Sequence, residues 1–277
     1  MQRGIINKII PFSAVDGPGN RTVIFLQGCN FACKYCHNPE TINFCTHCGI
    51  CVAECRSDAL SFEENKVVWN KENCTDCDAC LKICPSRSSP KTTEYSVESL
   101  FEEIAKYQNF TSGITFSGGE CTLQFNFLKA ALAEAKARNI SAFIDTNGFL
   151  SEDKMHELSG LFDKAMPDIK AVNSENHIDL TEKSNEDVLS NVELLLKQKS
   201  VYEIRTVIVP DFLDNAETVE KTAKLIAYYA PETRYKLIKY RKTGAMKPDF
   251  AQEPDDKLMF QMKNIAEKIG CKNVIVV

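Results

Sequence analysis

The sequence predicts an α/β fold, a TIM-like partial (β/α)6 barrel that carries a small inserted module. Strand-like and helical segments alternate with short connections from about residue 90 onward, which is typical of a parallel sheet with helices outside it. Eleven of the thirteen cysteines fall between Cys29 and Cys84, and residues 41–89 contain few long periodic segments and end in the breaker-rich PSRSSP. We therefore expect residues 1–40 and 90–277 to form the barrel and residues 41–89 to form the insert.

Hydrophobic periodicity places the individual elements. Strands are predicted at Ile5–Ile10, Thr22–Leu26, Gly113–Phe116, Ser141–Ile144, Lys164–Ile169, Tyr202–Val209, Tyr235–Ile238 and Asn273–Val277. Helices are predicted at Val97–Tyr107, Phe125–Arg138, Glu152–Leu158, Glu186–Lys199, Ala216–Ala230 and Asp256–Lys268. About six βα units starting from Thr22 suit a barrel, and a doubly wound sheet is the alternative that the periodicity leaves open. In a barrel, functional loops follow the C-terminal ends of the strands.

Composition and charge narrow the classes of function. With 277 residues, of which 44% are hydrophobic, the chain can bury one larger core and one small one. The net charge of −5 gives no broad basic surface, so we expect no nucleic-acid partner. No apolar run approaches the roughly 20 residues that span a bilayer, and the first residues lack a signal-peptide pattern. We therefore expect a cytoplasmic protein without a membrane partner, whose cysteines serve metal binding or catalysis rather than disulfides.

Two cysteine runs in the insert share the spacing C-x2-C-x2-C-x3-C, which is typical of two-cluster bacterial ferredoxins. In that pattern the fourth cysteine of each run binds the cluster of the other run. We expect one [4Fe–4S] cluster on Cys45, Cys48, Cys51 and Cys84 and a second on Cys74, Cys77, Cys80 and Cys55. The insert is thus predicted to be a small ferredoxin-like module with two clusters. Structural zinc is the alternative, since paired C-x2-C motifs also occur in zinc ribbons.

A third run, Cys29, Cys33 and Cys36, follows the predicted strand at Thr22–Leu26 and offers only three thiolates. Three cysteines leave one iron of a [4Fe–4S] cluster without a protein ligand, and such an open position lets a metal site do chemistry. A fourth ligand from His37 or Cys121 is the alternative that would close the cluster.

Tyr35 completes the pattern C-x3-C-x-aromatic-C, which resembles the signature of the radical S-adenosylmethionine (SAM) enzymes. The flanking stretches VDGPGNR, FLQGC and CHNPE are similar to the activating enzymes of glycyl-radical enzymes within that family. The resemblance covers nearly the whole chain from about Gly4, and the N-terminal IINKIIPFSAVDGPGNR looks closest to the YjjW-type branch.

The resemblance implies a radical SAM barrel and a specific reaction. SAM would bind the open iron through its amine and carboxylate and be cleaved reductively to methionine and a 5′-deoxyadenosyl radical. The radical would abstract hydrogen from a backbone glycine of a partner glycyl-radical enzyme. The two extra clusters would relay electrons from a flavodoxin or ferredoxin, or would help to dock the partner.

Two other functions stay open. The first is a radical SAM enzyme that modifies a small molecule or a peptide side chain and carries auxiliary clusters. The second is a non-enzymatic electron carrier, against which the three-cysteine loop argues.

The resemblance also implies a SAM pocket at the ends of successive strands. Its predicted members are Tyr35, Cys36, His37, Gly118, Gly119, Glu120, Asp145, Asp168, Ile169, Lys170, Arg205 and Arg241. Gly119 would contact the SAM amine, and Lys170 would pair with the SAM carboxylate. Arg241 stands where such enzymes often have a histidine, so its ribose contact is in question. For Asp145 and Arg205 the alternatives are a helix N-cap and a structural ion pair.

A monovalent cation is the last implied ligand. By resemblance, Asp145, Thr146, Asp168 and the Met166 backbone would hold it beside the methionyl group of SAM. Hard oxygen ligands suit an alkali cation.

Overall fold

The structure, a computed structural model, describes residues 2–277. Its strands are β1 Arg3–Ser13, β2 Arg21–Leu26, β3 Leu60–Glu63, β4 Lys66–Trp69, β5 Thr93–Ser96, β6 Gly113–Gly118, β7 Ala142–Thr146, β8 Lys164–Pro167, β9 Glu203–Ile208, β10 Arg234–Lys239 and β11 Val274–Val276. Its helices are α1 Ala79–Ile83, α2 Val97–Ala105, α3 Phe125–Ala137, α4 Glu152–Ser159, α5 Ser174–Thr181, α6 Glu186–Lys197, α7 Asn215–Tyr229 and α8 Asp256–Ile269.

The barrel strands follow one another across the sheet in chain order. One sheet has the order β5-β1-β2-β6-β7-β8, and a second has β11-β10-β9. Parallel bridges from Ala165 to Val201 and from Asp168 to Arg205 connect β8 to β9. Among the barrel strands β2, β6, β7, β8, β9, β10 and β11 every pairing is parallel, while β1 and β5 form an antiparallel edge. A doubly wound sheet would reverse its strand order, so that alternative is wrong and the predicted α/β fold with an open, mostly parallel sheet is confirmed.

The main core lies between these strands and the helices packed outside them. The central strand β6 is buried on both faces, with five consecutive buried residues from Gly113 to Ser117. The helices begin where polar side chains can cap them: Asp214 accepts from the Glu217 amide before α7, and Asp255 accepts from the Leu258 amide before α8. None of the described helices is both long and apolar enough to cross a membrane.

The insert has a small core of its own and a narrow connection to the barrel. Its hairpin β3–β4 pairs Leu60 with Trp69, and its core residues are Cys51, Leu60, Val67 and Cys80. At the connection Asn43 bridges to Ser88, and the Ser89 amide donates to the Glu40 carbonyl at 3.0 Å. The division into residues 1–40 with 90–277 and residues 41–89 stays a prediction.

Five helices and strands were not predicted, and all are short. They are α1, α5 and the strands β3, β4 and β5. Segments of four to eight residues are too short for hydrophobic periodicity to identify. Of these, α5 lies directly beneath the three-cysteine loop.

Candidate active site at the three-cysteine loop

The loop that carries Cys29, Cys33 and Cys36 leaves the C-terminal end of β2 and packs in a second apolar cluster. Phe31 and Tyr35 of the same loop are buried there. The Phe31 amide donates to Cys29 Sγ at 3.4 Å, so the loop turns back toward its own first thiol. The three thiols therefore share one mostly apolar environment at the carboxyl edge of the sheet.

The C-terminal turn of α5 holds this loop from one side. The Ala32 amide donates to the Thr181 carbonyl at 3.0 Å, and the Lys34 amide donates to the Leu180 carbonyl at 3.1 Å. Carbonyls at a helix C-terminus lack partners within the helix, so the cysteine loop uses acceptors that the helix leaves free.

His177 of α5 stabilises that turn, and no motif in the sequence indicates this role. The side chain is fully buried, and its Nδ1 lies 2.8 Å from the Lys183 carbonyl oxygen. Its ring packs edge-on against Phe31 with centroids 5.3 Å apart. Burial lowers the pKa of His177, so the ring is neutral and Nδ1 donates to the carbonyl. His177 thus joins the helix turn to an aromatic residue of the cysteine loop.

Segment 241–250, between β10 and α8, holds the loop from the opposite side. The Met246 amide donates to the Cys36 carbonyl at 2.8 Å, and His37 Nε2 lies 3.1 Å from the Arg241 carbonyl oxygen. The Arg241 side chain is exposed, and no hydrogen bond or ion pair of its guanidinium occurs within residues 2–277. His37 thus contacts the backbone of segment 241–250, while Cys121 is buried in the main core.

Burial raises the pKa of all three loop thiols. The pKa reaches about 12 for Cys29 and about 11 for Cys33 and for Cys36. Each of these pKa values is raised further by the charge of another loop cysteine and lowered by Lys170, so the three thiols lie near each other and near one cation. Without metal they are protonated at neutral pH, and iron must displace those protons.

Gly118, the last residue of β6, and Gly119, which follows it, closely approach the backbone at the end of β2 and at the start of the cysteine loop. A Cβ atom at Gly118 would lie 2.2 Å from the Leu26 carbonyl oxygen, and one at Gly119 would lie 2.3 Å from the Gly28 carbonyl oxygen. No side chain fits at either position. The GG pair therefore sets the spacing between the cysteine loop and the end of β6.

Glu120 turns its carboxylate inward, where it joins the ends of β6 and β7. Oε1 accepts from Thr122 Oγ1 and Thr146 Oγ1, each at 2.7 Å, and Oε2 accepts from the Asn147 amide at 2.6 Å. Burial raises the pKa of Glu120, and these donors oppose the rise. Since both oxygens are occupied, Glu120 can act on a ligand through its backbone and through the alignment of Thr146 and Asn147.

A chain of ion pairs crosses the sheet interior next to this junction. Asp145 accepts from Ser117 Oγ at 3.0 Å and pairs with Arg205 Nη1 at 2.9 Å. Arg205 also pairs with Glu203 at 2.6 Å and donates to Met166 Sδ at 3.3 Å. Arg205 therefore makes a structural ion pair, as one alternative held, and Asp145 does not cap α4, which begins after Ser151.

The proposed cation ligands meet at the ends of β7 and β8. The Asp168 amide donates to the Thr146 carbonyl at 3.0 Å, which brings the two strand ends together. Burial raises the pKa of Asp145 to about 6, with a further rise from Asp168 and a reduction from Arg205. The guanidinium of Arg205 thus already supplies positive charge beside Asp145 and Met166.

Lys170 is the cation nearest to the cysteine loop. Its Nζ pairs with Asp168 at 2.8 Å and lies 5.6 Å from the centre of the Tyr35 ring. Burial opposes its charge, but Asp168, Tyr35 and Cys33 raise the pKa of Lys170 well above its usual value. Ile169, which lies between Asp168 and Lys170 in the sequence, is buried in the main core, and its amide donates to the Arg205 carbonyl at 2.9 Å. The strand end therefore presents a fixed ammonium beside the cysteine loop.

One cavity of the insert is lined by cysteines of both runs. They are Cys55, Cys74, Cys77 and Cys80. Burial raises the pKa of Cys45, and the charges of Cys84 and Cys48 raise that pKa further. Within residues 2–277 no three His, Cys, Asp or Glu side chains lie close enough to bind a single metal ion.

Comparison with known proteins gives one family match and several relatives. Residues 23–226 match the family described as the Radical SAM superfamily. The isethionate sulfite-lyase activating enzyme of Desulfovibrio desulfuricans is 31% identical over 271 aligned residues, covering 90% of this chain and 86% of that protein. The 4-hydroxyphenylacetate decarboxylase activating enzyme of Clostridioides difficile is 32% identical over 238 aligned residues, which cover 78% of this chain and 75% of that protein. A domain of pyruvate-formate lyase-activating enzyme from Bacteroides vulgatus has a similar fold, with a TM-score of 0.52, 22% identity and coverage of 60% of this chain and 99% of that chain.

Proposed function

Because the chain belongs to the radical SAM superfamily, and within it to the activating enzymes of glycyl-radical enzymes, we propose that Cys29, Cys33 and Cys36 carry out this activation. The observation that supports this most is the anchored loop, in which three thiols share one environment and are held from both sides. Membership of the YjjW-type branch stays a prediction.

The donor set fits a [4Fe–4S] cluster with one open iron. The three loop thiols supply three ligands, while His37 contacts the backbone of segment 241–250 and Cys121 is buried in the main core. When bound, the cluster supplies the electron that cleaves SAM to methionine and a 5′-deoxyadenosyl radical, which takes a hydrogen atom from the partner's glycine. The protein supplies alignment and exclusion of water.

The SAM pocket uses residues of three strand ends. Lys170 is placed to pair with the SAM carboxylate, since its ammonium lies beside Tyr35 and the cysteine loop. Gly119 offers backbone to the SAM amine at the point where no side chain fits. Glu120 acts as a positioning residue that holds the ends of β6 and β7 in register. Tyr35 and His37 would lie along the adenine, and Arg241 would reach the ribose from segment 241–250.

We also propose a cation site at the ends of β7 and β8. The carboxylates of Asp145 and Asp168 converge with the backbone of Thr146 and Met166, which suits a monovalent cation. Arg205 already neutralises Asp145 in the structure. A bound cation therefore requires the guanidinium of Arg205 to share or leave that carboxylate.

The insert is proposed to hold two closed [4Fe–4S] clusters that relay electrons from a flavodoxin or ferredoxin. The outer cluster would bind Cys55, Cys74, Cys77 and Cys80, and the cavity that these residues line supports it. The inner cluster would bind Cys45, Cys48, Cys51 and Cys84, and the effect of Cys84 on the pKa of Cys45 supports it. The Cys29 amide donates to the Ile42 carbonyl at 2.8 Å, three residues before Cys45. The inner cluster would therefore lie next to the three-cysteine loop. Electrons would pass through the outer cluster before they reach the inner one.

Electron paramagnetic resonance (EPR) of a candidate partner enzyme tests the proposal. The reconstituted protein, dithionite, SAM and the partner should together give a doublet on the partner's glycine, with one 5′-deoxyadenosine formed per radical. Cys33→Ala is the control and should give neither. Formation of 5′-deoxyadenosine with a small molecule or a peptide side chain, and no doublet on any glycyl-radical enzyme, would favour the alternative function.

A further inference from the structure

Trp69, at the end of β4, has a buried polar atom without a partner. It is the single tryptophan of the chain. Its indole Nε1 is shielded from solvent and has no hydrogen-bond acceptor within residues 2–277. An indole N–H can only donate, and buried donors in native proteins are nearly always paired. The acceptor for this N–H is therefore a group that the chain itself does not provide.

The surroundings of Trp69 show where such an acceptor belongs. Trp69 lines the cavity that is also lined by Cys55, Cys74, Cys77 and Cys80. Ala59 and Leu60 form an apolar wall. The two charged residues of the lining, Lys91 and Asp78, pair with each other at 2.7 Å, and Lys91 also pairs with Asp76 at 3.1 Å. The cavity therefore brings four thiols to the same place as one N–H donor that has no acceptor.

We propose that Trp69 donates its indole N–H to a sulfur of the outer [4Fe–4S] cluster and thereby raises the reduction potential of that cluster. Hydrogen bonds to cluster sulfurs are one of the factors that set its potential. A donor stabilises the reduced cluster more than the oxidised one, because reduction adds negative charge to the sulfurs. The inference rests on the assignment of these four cysteines to a cluster, and not on the identity of the partner enzyme.

The position of Trp69 makes this hydrogen bond relevant to electron entry. Trp69 and Cys74 also line a second, larger groove between the insert and the β1–β5 edge of the barrel, with Lys8 and Tyr95 on its far side. Trp69 and Cys74 therefore border both the cavity of the outer cluster and this groove. A higher reduction potential makes the outer cluster easier to reduce by an external electron donor. The outer cluster would therefore be the first electron acceptor of the relay.

A nitrogen label on the single tryptophan tests the hydrogen bond directly. Full-length holoprotein grown with [indole-15N]tryptophan should, once reduced, show a 15N hyperfine coupling in pulsed EPR. In Trp69→Phe, which keeps the aromatic bulk, one of three cluster potentials should shift downward while the other two stay unchanged. Val68→Ala, on the exposed neighbouring position of the same strand, is the matched control and should shift none.

The possible outcomes separate this inference from the proposed function. A 15N coupling with the selective shift in Trp69→Phe supports the inference even if no partner glycine is activated. Absence of the coupling together with unchanged potentials in Trp69→Phe overturns it. Zinc in the insert also overturns it, while SAM cleavage and the partner's glycyl doublet would persist with dithionite as reductant.

Discussion

The three-cysteine loop and the eight-cysteine insert are built in opposite ways. The loop is held by backbone hydrogen bonds to α5 and to segment 241–250, elements that belong to the barrel. The insert has one short hairpin, a five-residue helix and a four-residue core, and Cys48 and Cys77 are exposed. We expect a site of the first kind to be formed before its metal binds, and a small domain with so little core to depend on its metal for folding. The proposed catalytic site would thus be preformed, and the structure of the insert would follow its proposed cofactors.

The thiols of the two regions differ in acidity as well. Burial raises the pKa of each loop thiol to about 11 or 12. In the insert, burial also opposes ionisation, but hydrogen bonds from Ser57 and from Ser88 leave the pKa of Cys55 and of Cys84 below the usual value. The insert therefore contains thiols that give up their protons to iron more readily than those of the catalytic loop.

The largest effect is expected from a substitution that removes the catalytic cluster and leaves the two clusters of the insert in place. Cys33→Ala should reduce SAM cleavage to background, and the bound iron should fall from about twelve to about eight per chain because each cluster holds four irons. Iron analysis and chromatography of 5′-deoxyadenosine measure this. Cys121→Ala, in the main core, should keep about twelve irons. Unchanged SAM cleavage by Cys33→Ala would show that the loop is not the catalytic site.

Loss of an insert cluster should have an effect that depends on the electron donor. Cys77→Ser should also lower the iron content to about eight, but SAM cleavage driven by dithionite should persist since the catalytic loop is intact. Cleavage driven by a flavodoxin or ferredoxin should fall roughly 10- to 100-fold, a range typical of disrupted metal-site support. Equal losses with both reductants would contradict a relay.

A change beneath the loop should have a smaller effect on the catalytic cluster alone. His177→Ala removes the contacts that join the α5 turn to Phe31, so the catalytic cluster should be lost to a chelator roughly 10- to 100-fold faster. His177→Asn keeps a donor near the Lys183 carbonyl and should restore part of that resistance. His156→Ala, exposed on α4, is the control. Loss of the insert clusters at the same rate would indicate a general loss of structure.

The smallest effect concerns pH. The loop thiols have pKa values of about 11 or 12 in the folded apoprotein against 9.0 ordinarily, so folding favours their protonated form. Their contribution to stability is full below pH 9 and is lost as the pH rises toward 11 to 12. Apoprotein unfolding free energy should therefore fall over this range, and cluster assembly in the loop should improve between pH 7 and 8.5. Denaturant titrations and SAM-responsive EPR signals measure both, and a flat profile would contradict the buried-thiol environment.

The barrel was predictable because its elements are long and periodic, and the positions of Asp145, Asp168 and Lys170 at strand ends follow from them. The contacts that arrange the site were not. His177 reaches Phe31 across 146 positions of sequence, and Glu120 reaches Asn147 through one carboxylate oxygen. Such pairings arise from tertiary packing, which periodicity does not report. Similarly, Arg205 at a strand end indicated a ligand or an ion pair, and the folded chain shows the ion pair.

The narrow connection at Asn43 and Ser88 has a consequence for how such proteins change. Because the chain leaves and re-enters the barrel at adjacent points, residues between them form a cassette whose exchange alters no barrel strand. Replacing 44–87 with a short turn should leave a compact enzyme that accepts electrons directly. The proposed electron relay could therefore be gained, lost or exchanged between proteins in one step, while the three-cysteine loop beside it stays unchanged.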